Sequence, residues 1–223
     1  MRFRYDALIF DFDGVLLESE YAGNAQLADW LTRSGHPTSV EQAMDEFMGL
    51  AGLDFLGAVE RWIGRALPDD FHVARAGEDA RAIAEGIAAV EGAVAFIRGL
   101  PTDLPRAICS SSSSHWIESH LRNLGLEGAF GGMIFSGREH VARGKPAPDL
   151  YLHAAAALRV PIERIAIIED SPVGVQGALA SGATVIGLVA GSHCGPDHEA
   201  RLRELGVPLI ARDFGELASF LRG

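Results

Sequence analysis

A chain of 223 residues with a formal net charge of -11, 48% hydrophobic residues and two cysteines is acidic, able to build a core, and free of a disulfide framework. The charge excludes nonspecific binding to nucleic acid or anionic membranes, and no apolar stretch approaches the roughly 20 residues of a bilayer span. A phosphorylated small molecule is not excluded, since one local cationic pocket is enough; a reduced, cytoplasmic setting without a secretory leader is expected.

Residues 7–10 are Ala-Leu-Ile-Phe, apolar without alternation, and read as a fully buried strand of a parallel sheet. The run delivers Asp11 and Asp13 onto one face at the strand's carboxyl end, and Gly14 lets the backbone leave sharply. Tyr21, Ala25, Ala28 and Leu31 then fall at helical spacing, stopped by Gly35-His36-Pro37. Residues 38–86 continue as helices, broken near 49–52 and 67–69, and no strand pattern appears before about residue 103. This predicts a helical insertion over 17–86, with residues 1–16 and 87–223 forming a Rossmann-like core.

From residue 87 helix and strand alternate. Helices are expected at 92–100, 116–124 and 148–158, and strands at 106–109, 133–135, 164–168, 184–188 and 209–210, followed by a terminal helix. Ser171-Pro172 reads as the N-cap and first residue of a further helix. The alternation predicts an α/β fold with a doubly wound parallel sheet, whose ligands sit at the carboxyl ends of the strands. Ser110 opens a run of five serines after the second strand, and Glu169-Asp170 close the fourth. The 19 basic residues are 18 arginines and one lysine, Lys145, which stands out because a compact ammonium can approach two oxyanions at once.

Four acids, a hydroxyl and a lysine at one sheet edge suit a hard cation such as Mg²⁺ together with a phosphoryl group. Phosphate would bind at Lys145, the Ser110 hydroxyl and neighbouring backbone N–H groups, Ser111 included. Asp11 is then the natural nucleophile and Asp13, two residues on, the general acid and base. The rival reading is a phosphoacceptor signalling module, but that is about half this length and has no counterpart of Asp13.

Asp-Phe-Asp-Gly-Val-Leu-Leu-Glu-Ser (11–19), the strand ending at Ser110, Gly-Lys-Pro-Ala-Pro-Asp (144–149) and Ile-Ile-Glu-Asp-Ser-Pro-Val-Gly-Val (167–175) resemble, in order, the motifs of the haloacid dehalogenase superfamily. The resemblance implies a helical cap after the first strand, and Mg²⁺ held by Asp11, the Asp13 carbonyl and Asp170 with Glu169 beside it. It assigns catalysis to Asp11, Asp13 and Lys145. The branch it resembles contains β-phosphoglucomutase and the sugar-phosphate phosphatases. Gly23 and Gly52 stand where the mutase has histidine and arginine, and no lysine exists outside position 145 to serve in the cap. Glu18, Ser19 and Glu20 with Asn24 are closer to the phosphatases. Gly49 and Leu50, in a loop over 49–54, are expected to face the substrate. The expected activity is hydrolysis of a small phosphorylated metabolite by a monomer or weak dimer, with no nucleic-acid or membrane partner.

Three further groups are read as structural. Trp30, Trp62 and Trp116 are expected in the core, and Cys109 in a buried strand. His193, Cys194, Asp197 and His198 match no regular metal-ligand spacing and read as a solvent-facing loop, the alternative being that His193 borders the active site.

Overall fold

The computed structural model describes residues 3–48, 50 and 52–222. The chain divides into two compact units: Met1–Glu18 with Ala88–Gly223, and Ser19–Ile87.

The first unit is built on six parallel strands: β1 (Ala7–Phe10), β2 (Arg106–Ser110), β3 (Ile134–Ser136), β4 (Ile165–Glu169), β5 (Thr184–Leu188) and β6 (Leu209–Ala211). Their order is β3-β2-β1-β4-β5-β6, the doubly wound arrangement the alternation predicts. The order reverses at β1, which pairs with β2 on one side and β4 on the other. The chain therefore winds away from this point in both directions, leaving a crevice outside the carboxyl ends of β1 and β4. β2 and β4 run to Ser110 and Glu169, so both reactive residues are the last of their strands.

Both sheet faces are covered, which explains the continuous apolar runs. Ala7, Ile9, Ala107, Cys109, Ile165 and Ile167 point into a core closed by Tyr151, Ala154, Val175 and Ala178. On the other face Phe10 meets Phe96 and Phe130 edge-on, with ring centroids 6.2 and 6.1 Å apart. Cys109 is wholly buried as expected, and burial pushes its thiol far above the ordinary cysteine range. Cys194 is only partly buried. One thiol is therefore expected to react with 5,5′-dithiobis(2-nitrobenzoate) at about pH 8 in the folded protein and two after unfolding in guanidinium; two fast thiols in the native state would contradict the placement of Cys109.

The second unit is helical: α1 (Ser19–Arg33), α2 (Val40–Phe47), α3 (Gly52–Ile63) and α4 (Asp69–Glu85). Helix α2 opens with a reciprocal cap. The Ser39 hydroxyl accepts from the Gln42 amide at 3.2 Å, and the Gln42 side chain accepts from the Ser39 amide at 2.9 Å. The helices close on Leu27, Trp30, Leu31, Ala43, Phe47, Val59, Ile63 and Phe71. Trp30 stacks edge-on against Phe71 at 4.7 Å, and Trp62 lies partly buried against this core with its indole N–H on the Thr38 hydroxyl. Tryptophans 30 and 62 thus pack as expected; Trp116 does not.

The remaining helices belong to the first unit: α5 (Ala93–Gly99), α6 (Ser114–Asn123), α7 (Asp149–Leu158), α8 (Pro172–Ser181), α9 (His198–Glu204) and α10 (Phe214–Leu221). Ser171 caps α8 through its hydroxyl, which accepts from the Gly174 amide at 3.0 Å, with Pro172 in the first turn. Helix α9 has no counterpart in the sequence reading. It is seven residues long and buries only His198 and Leu202, too few apolar positions to produce a period.

Candidate active site

Asp11 follows β1 immediately, and its amide continues the β1–β4 pairing by donating to the Ile168 carbonyl at 2.9 Å. Its carboxylate is thereby set beside the residues that end β4. The Lys145 ammonium, carried on the loop before α7, donates to Asp11 Oδ1 at 2.7 Å and to Glu169 Oε1 at 2.5 Å. The side chains of Lys145 and Glu169 are 3% and 0% exposed. The single lysine of the chain therefore spans two carboxylates inside the protein, a task for a compact cation rather than a planar fork.

Glu169 is surrounded by donors. Oε1 also accepts from the Tyr151 hydroxyl at 2.6 Å, and Oε2 accepts from the Asp170 and Ser171 amides and the Ser171 hydroxyl at 3.2 to 3.4 Å. The first turn of α8 is packed against this carboxylate. A Cβ on Gly174 would lie 2.1 Å from both of its oxygens. Gly14 plays the matching part for Asp170: its φ of +80° suits glycine, and a Cβ there would lie 2.1 Å from Asp170 Oδ2.

The electrostatics are unbalanced. Burial first, then the neighbouring Glu169, drives the Asp11 carboxyl well above its ordinary range, with Lys145 opposing. Asp170 is raised by the same two causes in the same order. Burial disfavours the Lys145 ammonium, but Asp11 and Glu169 outweigh it and hold its pKa above the usual lysine value. Three buried carboxylates thus face one ammonium. Oxygens of Asp11, Glu169 and Asp170 all lie within 4.8 Å of one another, and Asp170 Oδ1 is buried with no hydrogen-bond partner among the described residues. An all-oxygen set with excess negative charge and an orphaned oxygen fits a hard divalent cation.

Asp13 sits just before the turn that Gly14 begins. Its Oδ2 accepts from the hydroxyls of Ser110 at 3.1 Å and Ser112 at 2.7 Å, and its Oδ1 accepts from the Trp116 indole N–H at 3.0 Å. Ser112 has no role in the sequence reading, and Trp116 is expected there in the core. The hydroxyl that joins Ser110 at Asp13 is that of Ser112, while Ser111 lies half-buried between them. Trp116 is no core residue: Ser113 caps α6 by accepting from the Trp116 amide, and that first turn aims the indole at the carboxylate. The signal available was position, a polar-tipped aromatic in the first turn after a reactive strand end.

In the segment 193–198, Gly195, Pro196 and Asp197 are exposed as expected of a loop, but the two histidines are not, and His193 lies against Asp170 as the alternative reading has it. His193 and His198 are 5% and 4% exposed. His193 Nε2 donates to Asp170 Oδ2 at 2.7 Å, and His198 Nε2 donates to the Asp170 main-chain carbonyl at 2.6 Å. The segment is tied down by Ser192, whose amide and hydroxyl donate to the Glu18 carboxylate, the latter at 2.5 Å. Two polar imidazoles replace the apolar residues a buried segment would ordinarily show, which hid the burial.

The proposed substrate residues lie in the helical unit. Glu20 is in the first turn of α1, and its carbonyl accepts from the buried Asn24 amide at 2.8 Å. Leu50 packs against the helical core, and Gly49 lies outside the described residues.

The haloacid dehalogenase-like hydrolase family model matches residues 5–182. Hexitol phosphatase A of Escherichia coli is 30% identical over 212 residues, covering 92% of this chain and 91% of that protein. The 6-phosphogluconate phosphatase of the same organism is 28% identical over 195 residues, 86% of each. Among solved structures, a HAD family hydrolase from Deinococcus radiodurans with bound phosphate and sodium superposes with a TM-score of 0.79 at 34% identity, over 97% of this chain and 94% of that one.

Proposed function

Since the chain belongs to the haloacid dehalogenase-like hydrolases and is a phosphatase, we propose that it hydrolyses a small phosphorylated carbohydrate through a covalent phosphate on Asp11, with Mg²⁺ as cofactor. The observation that carries this reading is the Lys145 ammonium lodged between Asp11 and Glu169, beside the partnerless oxygen of Asp170. That arrangement offers an anionic nucleophile, a fixed cation to draw in an anionic phosphate, and oxygens left over for a metal.

In the proposed reaction an Asp11 oxygen attacks phosphorus, and the bond from phosphorus to the ester oxygen breaks. Asp13 gives its proton to the departing alkoxide. Asp13 then takes a proton from water as that water attacks phosphorus, and the acyl-phosphate bond breaks to release phosphate and restore Asp11. Lys145 holds the Asp11 carboxylate in line and neutralises charge on the transferring group. The hydroxyls of Ser110 and Ser112, which here donate to Asp13, would bind the phosphoryl oxygens. Asp11 and Asp170 would hold Mg²⁺, with Glu169 alongside, and the metal would supply charge neutralisation at the phosphoryl oxygens.

The relatives, a hexitol phosphatase and a 6-phosphogluconate phosphatase, favour an open-chain or sugar-acid phosphate. The mutase alternative is disfavoured: Gly52 stands where that enzyme has arginine, at a φ of +55° that side chains rarely adopt. The test is release of inorganic phosphate from a panel of sugar, polyol and sugar-acid phosphates. Release is expected to vanish on chelation and return with Mg²⁺, and to fall about 10²- to 10⁴-fold in Asp13→Asn. Full activity in chelator, or isomerisation without phosphate release, would overturn the proposal.

A further inference from the structure

Asp170 is gripped twice by one short segment of chain. The His193 Nε2–H donates to its Oδ2 at 2.7 Å, and the His198 Nε2–H donates to its main-chain carbonyl at 2.6 Å. Both imidazoles are buried. The second bond fixes the backbone of Asp170, and the first fixes the rotation of its carboxylate. With Oδ2 committed to His193, Oδ1 remains buried without a hydrogen-bond partner. An oxygen of this carboxylate stays within 4.8 Å of oxygens of Asp11 and Glu169. Left to itself, a carboxylate facing two others would turn away from them.

The fold makes room for this contact. Gly14 and Gly191 flank the His193 ring: a Cβ on the first would lie 2.9 Å from its Cε1, and one on the second 2.5 Å. The neighbouring Ser192 is anchored, its amide and hydroxyl both donating to the Glu18 carboxylate. The ring therefore has little freedom to leave Asp170. A polar ring is costly to bury unless its hydrogen bonds are made, and here one is made to the edge of the pocket.

We propose that His193 is a positioning residue for the divalent cation: it holds the Asp170 carboxylate in its ligating orientation before the ion arrives, with His198 fixing the main chain beneath it. This rests on the reading that Asp170 ligates Mg²⁺. Ordering a ligand in advance removes that ordering from the cost of binding. Outer partners of this kind are worth about 10- to 100-fold in metal affinity.

Mn²⁺, whose electron-spin signal reports the free ion, is the probe, titrated into the folded protein without substrate. His193→Leu is expected to bind it about 10- to 100-fold more weakly than the wild type. His193→Gln, whose amide N–H can take the place of Nε2–H, is expected to restore most of the affinity. In turnover His193→Leu should need correspondingly more Mg²⁺, regain most of its kcat once Mg²⁺ saturates, and show little change in KM for the phosphate ester. Damage to the fold alone would lower kcat at every Mg²⁺ concentration. Equal Mn²⁺ affinity in the wild type and His193→Leu, or a glutamine variant as weak as the leucine one, overturns the role of His193 and leaves Asp170 as a ligand. A wild type that binds no Mn²⁺ overturns the metal reading and this inference with it. Should His193→Leu fail to fold, nuclear magnetic resonance of the wild type labelled in its histidines takes its place: the Nε2 proton of His193 is expected to shift when Mg²⁺ is added, and a proton that does not respond overturns the proposal.

Discussion

Asp11→Asn is expected to reduce turnover of p-nitrophenyl phosphate by on the order of 10⁴-fold or more, with the protein still folded. The amide has the shape of the carboxylate but cannot form the acyl phosphate. The fold is expected to survive because Lys145 keeps its second partner, Glu169, and because Asp11 is itself a burdened group: burial and the nearby Glu169 and Asp170 disfavour its charge. Replacing it relieves crowding among three carboxylates while removing one hydrogen-bond acceptor from the ammonium. The check pairs an activity assay with far-ultraviolet circular dichroism and a thermal melt. Turnover within a few-fold of wild type would remove Asp11 from the nucleophile's role and with it the covalent mechanism.

Gly174→Ala is expected to give a large loss of stability for a single added methyl group. The new Cβ would lie 2.1 Å from both Glu169 oxygens, and the obstacle is a buried carboxylate, not the free end of a flexible chain. Glu169 must move, and in moving it abandons Lys145, Tyr151 and the amides at the start of α8. Breaking a buried ion pair from one side costs about 3–5 kcal/mol, because the remaining charge stays desolvated. Urea unfolding should show the unfolding free energy lowered by that amount, read as a lower midpoint with little change in slope. The same substitution at Gly77 is the control. That glycine is exposed in α4 and a Cβ there meets nothing within 4 Å. Alanine is expected to stabilise it by roughly 0.5–1 kcal/mol. If both variants behaved alike, the effect at 174 would be one of helix propensity, and the close packing of α8 on Glu169 would be wrong.

The two variants probe one structural fact from opposite sides. The pocket is expected to tolerate loss of a charge at Asp11 better than displacement of Glu169, because Glu169 is the hub. It joins β4, the Lys145 loop, α7 through Tyr151, and α8. Burial and Glu169 together also lift the Tyr151 hydroxyl well above its ordinary range, keeping it a neutral donor. Lys145, Tyr151 and Glu169 therefore position the nucleophile as a unit, and their substitutions are expected to be non-additive.

Much of this was legible in the residues. Strand β1 ends where its apolar run ends, β5 spans the expected 184–188, and Ser171-Pro172 starts α8 as cap and first turn. These features depend on near neighbours in the chain: alternation or its absence, a hydroxyl before a proline, a glycine after a strand. The convergence of Asp11, Ser110, Lys145, Glu169 and Asp170 followed from one topological inference, since a doubly wound sheet gathers strand ends whatever lies between them.

What local sequence could not show were the partners drawn from distant positions. Trp116 looked like a core aromatic, and its indole reaches Asp13 only because α6 begins at the end of β2. His193 and His198 looked like loop residues, since imidazoles on a segment without apolar period carry no sign of burial; their burial exists only because β5 returns the chain beside β4, against Asp170. The sequence by itself determined the fold class and the reactive residues at the strand ends, because periodicity and turn chemistry are written in adjacent positions. The tertiary structure alone decided which groups satisfy those residues, because hydrogen bonds and buried charge pairs form between atoms far apart in the chain, 134 positions between Lys145 and Asp11, and no local pattern encodes that meeting.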